Sequence, residues 1–410
     1  MPPSPASRAA GPVSRRRALL LGAGLAAGGC AGTPGDPAAG PAAARPAPAP
    51  AVPWERSGGA DWPPRPTLIG HRGAPALRPE HTLASYAQAI EDGADCIEPD
   101  LVITRDGVLV ARHENAIALL NPDGSVREAT TDVAERPEFA ARKAIRTIDG
   151  TALAGWFTED FTLAELKTLR ARERIPAVRP GNARHDGRFA IPTFQEVIDL
   201  ARDASARRGR TIGVYPETKH PSHFRSLGLP LEEPLVALLR ANGLDHRDAP
   251  VFVQSFEVAN LRRLRGMTPV RLAQLVAPAG RPWDFVARGP AEARGYRDLL
   301  TPAGLREVRG YADVLAPHKA LVAPVAGGAV GAPTALVAEA HAARLRVHAW
   351  TLRPENAFLP ARLKRPPVAD GSARGDGAAE IAAYLRAGVD GFFTDDPAVG
   401  RAAIDAFLRR

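Results

Sequence analysis

Acidic, basic and imidazole side chains are concentrated beside two short apolar runs in the first third of the chain. The first run ends in His71 and Arg72, and the second presents Glu98 and Asp100, two residues apart. Residues two apart on a strand point to the same face, so these carboxylates converge as oxygen ligands of a hard divalent cation would. An imidazole titrates near neutral pH, and a guanidinium matches a phosphate group. This combination predicts metal-assisted chemistry on a phosphate ester.

A third segment adds Glu217 and Lys219, which are also two residues apart. With the first two carboxylates, Glu217 would complete a set of three oxygen ligands that suits Ca²⁺ or Mg²⁺ better than Zn²⁺. A lone carboxylate is usually a surface group or an ion-pair partner, but three within apolar strands are costly to bury without a cation. His113 ends a further apolar run. His113 and His71 are therefore candidates for the general acid and general base.

Short apolar runs alternate with helical patterns from residue 66 onward. The predicted strands are 67–70, 96–104, 211–216, 251–255, 270–276, 312–316, 346–351 and 391–394. The predicted helices are 80–92, 163–172, 194–207, 231–242, 257–264, 302–309, 333–343 and 378–387. The alternation predicts a parallel sheet, and eight strands favour a closed (β/α)₈ TIM barrel. The candidate site residues all fall at the carboxyl ends of strands, where such barrels carry their reactive groups.

The stretch from about residue 115 to residue 191 is too long for a simple loop between a strand and a helix. It follows a strand predicted over 108–113, which pairs with the preceding strand across a turn that contains Asp106 and Gly107. We therefore predict that 115–191 forms a small inserted subdomain after the second strand and folds over the mouth of the barrel.

The N-terminal segment has the features of an export signal. Arg15, Arg16 and Arg17 precede an apolar run over 18–29 that is too short to span a bilayer. The arginines resemble a twin-arginine signal, and Cys30 directly after the run resembles a lipoprotein cleavage site. Ordinary cleavage without a lipid is the alternative. Residues 30–65 are rich in Pro and Ala and predict an extended tether. The sequence thus predicts a periplasmic or cell-surface protein whose only membrane attachment would be a lipid at Cys30.

The composition is that of a soluble globular protein. The 410 residues are 45% hydrophobic and 24% charged, with a formal net charge of +8. Four arginines and no acidic residue lie within residues 1–29, so half of that excess belongs to the predicted signal. No dense stripe of Lys and Arg with interleaved aromatics is present, so nucleic acid is not an expected partner. The sequence does not determine the oligomeric state.

Several motifs together resemble the glycerophosphodiester phosphodiesterases, most closely their larger periplasmic type. The motifs are His71-Arg72-Gly73, Pro79-Glu80-His81-Thr82, Glu98-Pro99-Asp100-Leu101, the 104–113 hairpin, Pro216-Glu217-Thr218-Lys219 and Phe393-Thr394-Asp395. The resemblance covers residue 66 to the C-terminus. It implies a TIM barrel with a small insertion, and hydrolysis of glycerophosphodiesters to sn-glycerol 3-phosphate and an alcohol with a divalent cation, Ca²⁺ or Mg²⁺.

The resemblance also implies roles for particular residues. Glu98, Asp100 and Glu217 would bind the metal, His71 and His113 would form the acid–base pair, and Arg72 and Lys219 would neutralise phosphate charge. Phe256 and Trp350 are candidates for packing against the glycerol carbons, with barrel packing as the alternative. The chain departs from the family at Glu114, where Asp is usual after the second histidine, which puts the nearby substrate contacts in doubt.

Two other functions remain open at this point. A phospholipase of related barrel type would need an exposed apolar loop. The sequence shows no such loop rich in Trp or Phe, although Trp156 and Phe157 are candidates. A catalytically silent surface binding protein on the same barrel would be expected to lack a catalytic residue. No predicted catalytic residue is missing, which favours the hydrolase.

Overall fold

The computed structural model describes residues 62–409. The predicted signal peptide, Cys30 and the tether up to residue 61 lie outside these residues. Within the described part of the chain, no helix has the length and apolar character needed to cross a membrane.

Seventeen short strands in residues 62–409 form one large sheet and two smaller ones. They are β1 (Thr67–His71), β2 (Cys96–Glu98), β3 (Asp100–Ile103), β4 (Leu109–Ala111), β5 (Ala116–Leu120), β6 (Val126–Ala129), β7 (Ala144–Ile148), β8 (Thr151–Phe157), β9 (Gly213–Val214), β10 (Glu217–Thr218), β11 (Phe252–Ser255), β12 (Arg271–Val276), β13 (Val314–Pro317), β14 (Val325–Ala326), β15 (Ala329–Val330), β16 (Arg346–Leu352) and β17 (Gly391–Thr394).

The large sheet closes on itself as an eight-fold parallel barrel. Pro99 divides the second barrel strand into β2 and β3, and Pro216 lies between β9 and β10 of the third, since a proline cannot donate to a strand ladder. The remaining six barrel strands are continuous. Each barrel strand pairs in parallel with its neighbour along the chain, and β17 pairs with β1. The predicted TIM barrel is confirmed, and β4 adds an antiparallel strand beside β3.

Thirteen α-helices follow or flank these strands in the described residues. They are α1 (Leu83–Glu91), α2 (Leu163–Leu166), α3 (Phe194–Arg208), α4 (Pro221–Ser226), α5 (Glu232–Ala241), α6 (Val258–Met267), α7 (Trp283–Ala287), α8 (Tyr296–Leu299), α9 (Pro302–Arg309), α10 (Lys319–Val322), α11 (Leu336–Ala342), α12 (Gly377–Arg386) and α13 (Pro397–Leu408).

The ends of these helices follow local sequence signals. Thr193 caps α3, and the Glu196 side chain accepts a hydrogen bond from the Thr193 backbone in a capping box. Gly209 then ends the helix in the left-handed conformation, with φ of 61°. The helix predicted over 163–172 stops at Leu166, because the chain turns there into an isolated bridge between Arg170 and Ala190.

Aromatic residues fill the interior of the barrel. The rings of Tyr215 and Phe252 are stacked with centroids 4.7 Å apart, and Phe393 meets Tyr215 edge-on at 5.1 Å. Trp62, at the end of the predicted tether, is also buried and lies 5.7 Å from Phe252. This packed interior leaves the carboxyl ends of the strands as the place where polar side chains gather.

A four-stranded antiparallel sheet in the order β6-β5-β8-β7 lies within residues 115–191, separate from the barrel sheet. Its strand β8 carries Trp156 and Phe157, whose side chains are buried at 2% and 0% exposure. The indole Nε1 of Trp156 donates to the carbonyl of Phe139. These two candidates for an exposed apolar loop therefore do not form one, because both rings belong to the interior of the segment.

Candidate active site

Three carboxylates meet at the carboxyl ends of the second and third barrel strands. One ligand oxygen from each of Glu98, Asp100 and Glu217 lies within 4.8 Å of the other two, and all three side chains are buried. The strand register places them there, since Glu217 pairs with Asp100. Hard cations such as Ca²⁺ and Mg²⁺ bind clusters of carboxylate oxygens of this kind. The predicted ligands are thus together and could hold a metal ion.

The electrostatics of the three carboxylates also favour a cation. Burial, followed by repulsion from the other two carboxylates, raises the pKa of Glu98 well above its ordinary value. Burial raises the pKa of Glu217 to about 8, although the Lys219 ammonium opposes this. In contrast, Lys219 and His81 hold the pKa of the Asp100 carboxyl well below its usual range in spite of its burial. A divalent cation would relieve the repulsion that raises the first two values.

Other side chains fix the orientation of these carboxylates. His81 Nε2 lies 2.9 Å from Asp100 Oδ2, while the other ring nitrogen lies 2.8 Å from the hydroxyl of Tyr86. Glu98 accepts hydrogen bonds from the Gln254 side-chain amide at 3.0 Å and from the backbone N–H of Arg72 at 2.7 Å. These contacts leave the carboxylates with defined directions, which is the usual task of residues behind a metal ligand.

The imidazole of His71 is held by a carboxylate on the last barrel strand. Its Nδ1 lies 2.5 Å from Asp395 Oδ1. Arg353 and Arg179 hold the pKa of Asp395 well below its ordinary value, so Asp395 is ionised and can only accept. His71 Nδ1 therefore carries the proton and Nε2 has a free lone pair. Burial and the Arg72 charge lower the pKa of His71 to about 4, which keeps the ring neutral at neutral pH.

The second histidine, His113, is held in a separate chain of charged groups. Its Nδ1 lies 3.0 Å from Glu114 Oε1, and Glu114 Oε2 lies 2.6 Å from His220 Nε2. His220 Nδ1 in turn lies 2.7 Å from Asp149 Oδ2, in the turn between β7 and β8. These two carboxylates raise the pKa of His220 to about 9 in spite of its burial. Burial, with the charges of Arg72 and Lys219, instead lowers the pKa of His113 well below its ordinary value.

Two buried cations lie beside the carboxylate cluster. Arg72 donates from Nη1 to Glu80 Oε2 at 2.9 Å, and its Nε lies 3.3 Å from Asp100 Oδ2. Lys219 Nζ lies 3.1 Å from Glu217 Oε1. Both cations already have acidic partners, yet both line the central cleft and can face an anion placed there.

All the predicted site residues except Asp100 line one cleft of about 260 Å³, and Asp100 lies behind it beside Glu98 and Glu217. Its lining includes His71, Arg72, Glu98, His113, Glu217, Lys219, Phe256 and Trp350, with Gln254, Thr351 and Arg353 among those that the sequence did not indicate. Phe256 and Trp350 meet edge-to-face with ring centroids 5.6 Å apart. The Trp350 indole donates to the carbonyl of Ala316, which fixes the plane of the ring. The cleft thus combines carboxylates, histidines, cations and an aromatic wall.

Sequence reasoning gave no role to several residues that hold this site in place. Asp395 lies within one of the motifs, so its position could have been noticed as a partner for His71. His81 lies within another of the motifs, and the structure shows its task, which is the contact with Asp100. Gln254 and Arg179 gave no signal, because one lies in an ordinary strand and the other in an irregular segment far along the chain.

Comparisons with known proteins agree with this architecture. The family model described as the glycerophosphoryl diester phosphodiesterase family matches residues 71–399. Glycerophosphodiester phosphodiesterase GDPD6 of Arabidopsis thaliana is 34% identical over 81% of this chain and 84% of its own length. The glycerophosphodiester phosphodiesterase of Haemophilus influenzae is 29% identical over 51% of this chain and 56% of its own length.

A solved structure supports the fold independently. The crystal structure of a protein described as a glycerophosphoryl diester phosphodiesterase from Silicibacter pomeroyi superposes with a TM-score of 0.56 at 22% identity. The superposition covers 83% of this chain and 93% of that protein. From the family match, the Arabidopsis relative and the arrangement of the cleft, the chain belongs to the glycerophosphoryl diester phosphodiesterase family of enzymes.

Proposed function

We propose that this chain hydrolyses glycerophosphodiesters to sn-glycerol 3-phosphate and an alcohol, with a Ca²⁺ or Mg²⁺ ion bound by Glu98, Asp100 and Glu217. The observation that carries the proposal is the cluster of three buried carboxylates in the same cleft as two histidines. Oxygen ligands without sulfur or nitrogen suit these hard cations. The small-molecule diester is the proposed partner.

Charge on the phosphate would be offset from three sides. The cation, when bound, supplies positive charge to the non-bridging phosphate oxygens. Arg72 and Lys219 add two fixed cations at the wall of the cleft. These groups are held by buried ion pairs before substrate arrives, so they need little rearrangement as charge develops in the transition state.

The two histidines would transfer the protons. His71 Nε2, left with a lone pair by the Asp395 contact, removes a proton from the nucleophile, which is water or the glycerol 2-hydroxyl. As the new P–O bond forms, the P–O bond to the alcohol breaks. His113 would donate a proton to the departing alkoxide oxygen, and the Glu114 carboxylate opposes the burial and the Arg72 and Lys219 charges that lower the pKa of His113. When the 2-hydroxyl attacks, water then opens the cyclic phosphate with the two histidines exchanging roles.

The aromatic wall and residues 115–191 have further proposed roles. Phe256 and Trp350 would pack against the glycerol carbons, since they form the apolar side of the cleft. Residues 115–191 would act as an inserted subdomain over the mouth of the barrel. In support, Arg174 Nε donates to Glu80 Oε1 at 3.0 Å, and Arg179 Nε donates to Glu355 Oε1 at 2.7 Å.

The enzyme would act outside the cytoplasm. We propose that residues 1–29 are an export signal and that Cys30, when lipidated, anchors the mature chain by a Pro- and Ala-rich tether. Mass spectrometry of the chain isolated from membranes tests this directly. A lipid-modified Cys30 at the new N-terminus is expected, and a Cys30→Ala variant should be released from the membrane fraction.

The reaction is tested by release of glycerol 3-phosphate from glycerophosphocholine by the purified chain. Release with Ca²⁺ or Mg²⁺, and its loss with a chelator, is the expected result and identifies the preferred ion. A Glu339→Gln variant is the matched control, because Glu339 is exposed on α11 and lines neither the cleft nor the cluster. Absence of release with any cation from a folded sample would refute the proposal. Phospholipid vesicles would then be tested as substrate.

A further inference from the structure

A second cleft opens directly beyond the catalytic one. It measures about 360 Å³ and shares Glu217, Lys219 and Phe256 with the first cleft. A phosphodiester has two ester arms, which leave the phosphorus in different directions. With the glycerol arm against Trp350, the alcohol arm would pass Phe256 into this second cleft. The cleft thus lies where the head group of the diester would be bound.

Aromatic rings form much of the wall of the second cleft. Phe256, Trp283 and Tyr296 line it, and Phe256 meets Tyr296 edge-to-face with centroids 6.1 Å apart. Trp283 lies against the β7–β8 turn, since a Cβ added at Gly150 would lie 3.0 Å from the indole. Gly150 also has φ of +79°, so this close approach depends on glycine. Aromatic faces of this kind attract cations.

A buried carboxylate in the same wall has no cationic partner. Glu257 is 3% exposed, and its oxygens accept hydrogen bonds from the backbone N–H of Ser222 at 3.2 Å and from the Ser222 hydroxyl. Among residues 62–409, no Lys, Arg or His side chain forms an ion pair with Glu257. Burial raises the pKa of Glu257 to about 7, which reflects this lack of compensation. A buried anion of this kind is costly unless a cation joins it.

The other charged groups of the second cleft already have partners. Asp149 and His220 form an ion pair at 2.7 Å, and Lys219 pairs with Glu217. The Arg281 guanidinium donates to backbone carbonyls of its own loop, including that of Arg294 at 3.1 Å. Among the carboxylates that line this cleft in the described residues, Glu257 is therefore the one without an ion-pair partner, and Arg281 is directed to the carbonyls of its own loop.

We propose that the second cleft binds a cationic alkylammonium head group, so that the preferred diesters carry an ammonium or trimethylammonium alcohol. The inference rests on the proposed hydrolysis of glycerophosphodiesters. The ammonium group would lie between the Glu257 carboxylate and the rings of Trp283 and Tyr296. A neutral head group of the same shape would leave Glu257 without a partner and would gain only the apolar contact.

A pair of substrates that differ only in charge tests this proposal. Glycerophosphocholine is compared with its carbon isostere, in which 3,3-dimethylbutanol replaces choline and no charge remains. For the wild-type chain, kcat/KM for the choline diester should exceed that for the isostere by about tenfold or more, with the difference mainly in KM. Equal rates, or faster hydrolysis of the isostere, would overturn the proposal without need of any variant.

Variants then locate the effect in the second cleft. Glu257→Gln and Trp283→Leu should each reduce the ratio to about twofold or less, whereas Glu339→Gln should keep it. An unchanged ratio in both cleft variants would place the preference elsewhere and refute the assignment. Hydrolysis of neither diester would instead count against the proposed function. In that case the affinities of the chain for the two intact diesters would be measured by calorimetric titration. Tighter binding of the choline diester would support the head-group proposal, and equal affinities would refute it.

Discussion

The cluster of Glu98, Asp100 and Glu217 should destabilise the chain when no cation is bound. Burial raises the pKa of Glu217 from 4.5 to about 8, so the folded chain holds this proton more tightly than the unfolded chain. The contribution of the protonated Glu217 carboxyl to the free energy of unfolding is therefore fully present below pH 4.5. It is lost as pH rises towards 8, because in that range this carboxyl ionises freely only in the unfolded chain. A Glu217→Gln variant, which copies the protonated form, should lack this loss.

The size of the effect follows from the same two pKa values. pH 7 is about 2.5 units above the pKa of this carboxyl in the unfolded chain, and at about 1.4 kcal/mol per unit its ionisation stabilises the unfolded chain by about 3.5 kcal/mol. The entropy of unfolding for about 350 ordered residues is about 0.7 kcal/mol/K. Without divalent cations, Glu217→Gln should therefore melt about 5 °C above the wild type at pH 7, and the two should coincide near pH 4.5.

Thermal melts with chelator and with Ca²⁺ or Mg²⁺ at several pH values measure both parts of this prediction. Saturating cation should raise the Tm of the wild type and have little effect on Glu217→Gln, which lacks one ligand. Glu339→Gln is the matched control and should follow the wild type throughout. A Glu217→Gln variant that melts below the wild type at pH 7 with chelator, or that gains as much from the cation, would refute the reasoning.

Three further predictions concern single side chains around the site. His71→Ala and His113→Ala should each lower kcat about 10²-fold or more in a steady-state assay, and near-normal rates in both would contradict the proton-transfer roles. His81→Leu removes the contact with Asp100 and should weaken cation binding about 10- to 100-fold in calorimetric titration, with unchanged affinity as the contrary result. Arg179→Met leaves two buried carboxylates short of a partner and should cost about 3 kcal/mol in urea unfolding at pH 7; a loss within about 0.5 kcal/mol, typical of a surface site, would contradict this.

Much of the barrel could be predicted because its signals are local. Apolar runs, helix caps and terminal glycines each depend on a few neighbouring residues, so the eight-fold alternation was visible in the sequence. The third barrel strand was predicted two residues early, over 211–216, whereas its pairing with β3 extends to Thr218. Strand register fixed that boundary, and register depends on a partner more than one hundred residues away.

The candidate site could also be predicted only where its signals are local, that is, from residues close to each other in the sequence. Residues two apart on a strand point to the same face, so the sequence spacing alone groups Glu98 with Asp100 and Glu217 with Lys219. The residues that hold them could not be found this way. Gln254 reaches Glu98 across 156 positions of sequence, and neither its type nor its spacing distinguishes it from other strand residues.

Residues 115–191 are linked to both proposed catalytic histidines. Each histidine is linked through a separate series of contacts between charged side chains, called here a chain of charges. His71 contacts Asp395, which also accepts from Arg179 in that segment. His113 reaches the same segment through Glu114 and His220, which contacts Asp149 at the β7–β8 turn.

Glutamate in place of the family's usual aspartate at position 114 fits the second of these chains, because its two oxygens contact His113 and His220. Both contacts are made at 3.0 Å or less. An aspartate, which is one methylene shorter, would have to span the same distance between the two histidine rings. The glutamate at position 114 therefore has a structural role, which is to join His113 to His220. Since the two chains of charges end on different parts of residues 115–191, a displacement of that segment would disturb both histidines at once.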